Sequence, residues 1–459
     1  MDTQFQNFNK DSFFDYERIT QNHNFEIGFQ ILNEEVPDSN SDISCPPAEH
    51  YDKIISAYNT NSNNLNKLLI DFSTYLYKNG FDDVEEFNKT RMEEILINLC
   101  KSNNAGISQS AFHIITLLQS KGPAFPIFCL GVEFFNFCTS FLDQEYSPVL
   151  YYSLSAINNL CCQNEETRND SYSIIPPTMI KNFFQHFDVN VKEVALDLAC
   201  TYLKYPLSTE DCFLFLELAK EALITQEKIY YRSGFWILVR ILRNCPELTD
   251  KVMDDEILEC ANDIFDDKDS DCIIPGLIFI SYVYEMNFEI PDFYYNGILD
   301  VLADPPSHIC QKQAYRTIAK IMYRRPDLIS KFLHYGIIGQ ASYAIENAKF
   351  NDKIQIGLIV CEAVLSNISE SCDRILQTKS ISFFLDLLEL EDDELTKRAL
   401  ACIINIFNEA ESIDRVDELL KRFNQNDGLV AISKLEHEED NEISLMAADF
   451  KSNFFSENE

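Results

Sequence analysis

Ser380–Phe407 reads SISFFLDLLELEDDELTKRALACIINIF, and the spacing of its apolar residues decides the fold. Ile381, Phe384, Leu385 and Leu388 recur at steps of three and four, which puts them on one face of a helix. Glu391-Asp392-Asp393-Glu394 interrupts the pattern. Leu395, Ala399, Cys402, Ile403, Ile406 and Phe407 then resume it on a second helix. Two helices with one apolar face each cannot shield those faces from water alone, so they need neighbours of the same kind.

The same stripe returns along the chain. Each copy has a small anchor residue, an apolar residue near −4, and apolar residues at +1, +3, +4 and +7. The anchors are Ala111, Ser153, Ala195, Gly234, Gly276, Ala314, Gly357, Ala399 and, more weakly, Ala447, with a mean step of 42 residues. A small side chain at the anchor lets adjacent helices approach closely. Each anchor helix is preceded by another apolar run and by a break, as at Asp188-Val189-Asn190, Asp266-Asp267 and Asp304-Pro305-Pro306-Ser307. Prolines are expected between helices rather than within them. Pro246-Glu247 and Pro326-Asp327, each 12 residues after an anchor, suit the first turn of a new helix.

A period of 40–47 residues built from two or three helices is the mark of armadillo and HEAT arrays. Asn367–Phe407 resembles an armadillo repeat: a short first helix (Ser371–Thr378), a second (Ile381–Leu388), an acidic turn, and a long third helix on Ala399. Gly428-Leu429-Val430 through Leu435 resembles the glycine-led second helix of that family. The expected fold is all-α, a right-handed superhelical solenoid of about eight or nine armadillo/HEAT-like units. Residues 1–50 are expected to form an acidic, largely unstructured tail with short helices around Phe13–Arg18 and Phe25–Leu32. Capping helices over 51–90, the array over 91–451 and an acidic tail over 452–459 follow.

Composition narrows the function. The 459 residues carry a formal charge of −37, which disfavours nucleic acid and anionic lipid as partners. Only 12 glycines occur, in keeping with helices. Cys138, Cys161, Cys272, Cys310, Cys361 and Cys402 lie in apolar stripes, where free thiols pack as small hydrophobes in a reducing compartment. The opening residues show no basic-then-apolar leader, and Ala124–Leu142 is too polar to span a membrane. A cytoplasmic or nuclear monomer is expected. Glycine-rich phosphate loops, CxxC pairs and HExxH are missing, and the acidic runs Asp266–Asp271 and Glu436–Glu442 lack the EF-hand pattern. No catalytic residue, metal or cofactor is therefore assigned.

Resemblance to armadillo arrays implies that the third helices line a groove. Positions +2 and +6 from each anchor lie opposite the core stripe and are expected to face it. They are His113/Leu117, Ser155/Asn159, Asp197/Thr201, Trp236/Arg240, Ile278/Tyr282, Arg316/Lys320, Ile359/Ala363 and Ala401/Asn405. The middle copies are also basic: Lys228–Pro246 and Pro305–Pro326 contain no acid, and Arg316, Lys320 and Arg324 step by four along one face. Trp236, Arg240, Arg243, Tyr282, Arg316, Lys320 and Tyr323 are thus candidates for an aromatic-basic patch that grips an extended acidic or phosphorylated protein segment. The alternative is that these charges pair with acids of adjacent repeats and Trp236 packs between helices.

Importin-α grooves carry tryptophan and asparagine ladders. Here only Asn159 and Asn405 match at +6 and only Trp236 at +2, so basic cargo is a poor fit. The role expected is a non-catalytic adaptor or scaffold, with a nuclear-transport adaptor or an assembly chaperone or regulatory subunit as alternatives. Residues 1–50 hold ten acids against Lys10 and Arg18 and could fold back onto the basic middle.

Overall fold

In the computed structural model the residues described are 47–455, apart from 80–86, 88, 120–130, 144–146, 164, 254, 266–268, 286–292, 379, 391 and 439. Residues 1–46 and 456–459 of the expected tails and the helices proposed near residues 13–18 and 25–32 lie outside the described residues, whereas 47–50 and 452–455 are helical. The secondary structure described is helical throughout, without strands. Two compact units divide the chain. The first runs to Glu221 and takes in Arg243–Leu248; the second comprises Ala222–Leu242 and everything from Thr249 onward.

In the first unit the helices are α1 (Pro47–Asn59), α2 (Leu65–Asn79), α3 (Met92–Cys100), α4 (Ala105–Gln119), α5 (Gly131–Thr139), α6 (Ser147–Gln163), α7 (Glu165–Ile174), α8 (Pro177–Phe184) and α9 (Val189–Tyr202). Next come α10 (Thr209–Ile224) and α11 (Lys228–Asn244), whose residues divide between the units. The second unit continues with α12 (Thr249–Val252), α13 (Asp255–Asp263), α14 (Ser270–Glu285), α15 (Phe293–Ala303) and α16 (His308–Arg324). Three triplets complete it: α17 (Ile329–His334), α18 (Ile337–Asn347) and α19 (Phe350–Ser366); α20 (Ile368–Thr378), α21 (Ile381–Leu388) and α22 (Asp393–Ser412); α23 (Val416–Gln425), α24 (Gly428–Leu435) and α25 (Asn441–Phe455).

Every anchor residue falls inside a long helix and is buried there. Long helices pack each on the next: α2 on α4, α4 on α6 and α6 on α9 in the first unit, and α14, α16, α19, α22 and α25 in succession in the second. First helices also stack (α17 on α20), as do second helices (α15 on α18, α21 on α24). Hydrogen bonds between neighbouring long helices record the repeat step directly. Ser110 Oγ bonds Asn66 Oδ1 at 3.0 Å, 44 residues away, and Thr201 Oγ1 bonds Asn158 Oδ1 at 2.7 Å, 43 residues away. Thr317 Oγ1 donates to the Leu277 carbonyl at 3.3 Å across 40 residues, and Cys402 Sγ to the Cys361 carbonyl at 3.5 Å across 41. Stacked triplets at this step define an armadillo/HEAT-like helical repeat fold.

The acidic and polar breaks in the sequence do specific work as N-caps. Asp188 accepts the Asn190 N–H at 2.9 Å and opens α9; Ser307 accepts the Cys310 N–H at 3.3 Å and opens α16; Asp392 accepts the Leu395 N–H at 2.9 Å and opens α22. Each such cap contributes about 1 kcal/mol by satisfying a donor that the helix leaves without a partner. Pro246–Leu248 and Pro326–Leu328 are 3-10 turns that lead into α12 and α17. Gly336, between α17 and α18, has φ +91°, a left-handed conformation that a β-carbon would strain. Pro275 departs from the expected placement of prolines, because it lies inside α14. Burial of the flanking Ile273, Ile274 and Leu277 holds the helix together across the missing N–H.

Candidate functional site

Long helices of the stack are covered by their neighbours on most sides, so only a narrow strip of each reaches the surface. On α16 the strip runs through Lys312, Arg316, Lys320, Tyr323 and Arg324, the last two exposed. On α14 it holds Ile278 and Tyr282. On α22 it runs through Arg398, Ala401 and the exposed Asn405, whose Nδ2 donates to the Ala401 carbonyl of its own helix at 2.8 Å. Ile278/Tyr282, Arg316/Lys320 and Ala401/Asn405 therefore occupy the side opposite the core.

Two of the expected candidates meet in one place. Lys320 Nζ stands 4.1 Å from the centroid of the Tyr282 ring and donates to Ser281 Oγ at 3.3 Å. The ammonium is thus held over an aromatic face. One turn back on α16, the Arg316 Nε is buried and makes no hydrogen bond. As a whole Arg316 is half-buried, on the same helix face as Lys320. One turn beyond Lys320, the Arg324 guanidinium lies 5.6 Å from the centroid of Tyr323.

Trp236 and Arg240 come together differently. The Arg240 guanidinium is 5.8 Å from the indole centroid, but each residue is only 7% exposed, and α11 is buried on every face from Tyr230 to Leu242. They do not present an open surface. Arg243 is exposed and Asn159 half-buried, and both belong to the first unit, whereas the Tyr282–Lys320 cluster is in the second.

The +2/+6 rule fails elsewhere for a physical reason. On α19 Ile359 and Ala363 are buried, and the strip passes through Leu358 and Glu362 instead. The register there is offset by one residue. Arg398 Nη1 of α22 meets Glu362 at 3.5 Å, a pair 36 residues apart that charge matching at nearly one repeat could have revealed. Sequence reasoning also missed Asp352, a buried carboxylate. It accepts the Tyr315 hydroxyl at 2.9 Å and faces His308 Nε2 at 3.3 Å, joining α16 to α19.

In the first unit His113 and Leu117 are likewise buried. The His113 ring makes no hydrogen bond through either nitrogen, and burial pushes its pKa down to about 3. This lowered folded-state value means the unfolded chain binds the extra proton once pH drops below about 6.5, so stability falls with pH in that window. Between pH 7.5 and 5.5 the loss through this residue is about 1.4 kcal/mol. Urea unfolding at the two pH values should show His113→Phe losing less stability than the wild type by about that amount.

No protein-family model matches the sequence, and no curated protein matches it. Among solved structures, the chain is similar to an engineered protein, Northeast Structural Genomics Consortium target OR497, with a TM-score of 0.58 and 13% identity over 89% of this chain and 99% of that one. It is also matched to UNC-45 from Drosophila melanogaster (TM-score 0.44, 14% identity, 85% of this chain and 55% of that). A designed armadillo repeat protein in complex with the peptide (KR)4 matches with a TM-score of 0.38 and 13% identity, over 50% of this chain and 100% of that. At 13% identity the likeness to the engineered protein concerns the fold alone. Among the described residues no helix is long and apolar enough to cross a membrane.

Proposed function

We propose that the chain is a non-catalytic protein-binding scaffold that holds an extended acidic or phosphorylated segment on the strip formed by Tyr282, Arg316, Lys320 and Tyr323. The observation that carries this reading is the Lys320 ammonium set over the Tyr282 ring, on a helix face it shares with Arg316. Within an acidic chain, a helix with Lys312, Arg316, Lys320 and Arg324 on one side and no acid between Pro305 and Pro326 is a local positive field. Carboxylate or phosphate oxygens satisfy it, and arginine can do so with two parallel bonds. The tyrosines supply apolar contact to the segment between its charges. The importin-α-like reading would require a basic guest, which these cations repel.

Anisotropy titration with fluorescein-labelled peptides tests the proposal: one rich in aspartate, one carrying phosphoserines, and one basic. The first two should bind, more weakly as salt rises, and the basic peptide should not. Replacing Arg316 and Lys320 together with glutamate should weaken the phosphoserine peptide at least tenfold. Equal binding by the variant, or preference for the basic peptide, would refute the reading. A chain lacking residues 1–46, which leaves α1 whole, should bind the acidic peptides more tightly if the acidic tail competes for the same strip.

A further inference from the structure

We propose that Cys212 and Cys245 are the two halves of a reversible disulfide. Their sulfur atoms lie 2.6 Å apart although the residues are 33 positions apart in sequence. Heavy atoms that are not bonded settle at roughly 3.5–4 Å, and a disulfide bond is about 2.05 Å. The backbone thus already delivers the two thiols to bonding reach. Other cysteines in the stack behave differently: Cys272 and Cys310 direct their thiols at the carbonyls of Lys228 and Ser270. Those are packing residues with a weak hydrogen bond.

Position and surroundings suit a bridge that can be made and broken. Cys212 is in the first turn of α10 and Cys245 follows the last residue of α11, both in the first unit. Both are buried, at 0% and 2% exposure, but Pro246 and Glu247 beside Cys245 are exposed, so the pair lies one residue beneath the surface. Thr209 Oγ1 donates to Glu247 Oε1 at 2.6 Å and closes the site from above. Burial, the Cys245 thiol and the nearby Asp211 and Glu247 carboxylates all push the Cys212 thiol up, so it is a poor first nucleophile.

The chemistry then has a definite order. The Cys245 sulfur, as thiolate, attacks a low-molecular-weight disulfide and releases one thiolate, which takes up the proton Cys245 gave up. Cys212 then attacks the Cys245 sulfur, loses its proton, and expels the second small thiol. Two protein thiols become one disulfide while the small disulfide is reduced to two thiols. A reducing dithiol reverses both steps.

Oxidised glutathione, added to the reduced full-length chain, is the probe, followed by alkylation and non-reducing peptide mapping. The proposal expects a peptide pair joining residues 212 and 245, two fewer alkylated cysteines, and reversal by dithiothreitol. The unfolding midpoint should rise by several degrees in the wild type and not in Cys245→Ser. Cys212→Ser should stop at the mixed disulfide, leaving a glutathione adduct on Cys245. Both cysteines still open to alkylation after oxidation, in buffer and again in urea just below the unfolding transition, would overturn the proposal, as would bridges scattered among other cysteines.

Discussion

Replacing Phe407 with alanine is expected to destabilise the C-terminal triplets by about 3–5 kcal/mol, the cost of emptying a filled aromatic site. Phe407 is fully buried in α22. Its ring meets Phe423 of α23 at 5.2 Å between centroids, Phe450 of α25 at 5.0 Å and Phe454 at 5.2 Å. One side chain therefore links three helices, and the edge-to-face pairs with Phe423 and Phe450 add to the area buried. Alanine would remove those contacts and leave a cavity that the flanking helices, each tied to a neighbour, can only partly close. Urea unfolding followed by circular dichroism checks the value; a loss below about 1 kcal/mol would mean that the cluster is not packed this way.

Gly357→Leu is expected to cost at the upper end of the ~1–3 kcal/mol typical of overpacking. A β-carbon on Gly357 of α19 would meet Leu387 Cδ2 of α21 and Leu395 Cδ1 of α22, each at 2.9 Å. Alanine at this position trades that crowding against the roughly 1 kcal/mol of helix propensity that glycine forgoes. Leucine brings a volume that neither neighbour can yield, since both leucines are buried. The α19–α22 contact would then open. Thermal unfolding should show Gly357→Ala close to the wild type and Gly357→Leu well below it.

Repeat spacing was legible because burial recurs with the helical period. Ala195, Ala314 and Ala399, picked from stripes of apolar residues, all sit at 0% exposure inside long helices. Acidic breaks were legible as boundaries, and Asp188, Ser307 and Asp392 prove to be the caps that make them so. Gly276 reads as a helical anchor despite Pro275 beside it, and both lie inside α14. A one-residue register decides whether a side chain is surface or core, and a 42-residue average cannot fix that. Ile359 and Ala363 went inside for this reason, with Leu358 and Glu362 taking their place. Trp236 and Arg240 are a harder case, since their burial depends on what surrounds a whole helix rather than on spacing along it. The Tyr282–Lys320 contact was within reach of the sequence, because one repeat step carries +6 on α14 to +6 on α16.

Each triplet buries its apolar faces against the next one, so damage should spread only to neighbours. Hydrogen-exchange mass spectrometry on Phe407→Ala against the wild type reads this most directly. Faster exchange confined to α17–α25, with the amides of α1–α9 unchanged, is the expected pattern. Equal acceleration in α1–α9 would mean that the chain unfolds as one cooperative body, and would contradict the stacked-repeat account.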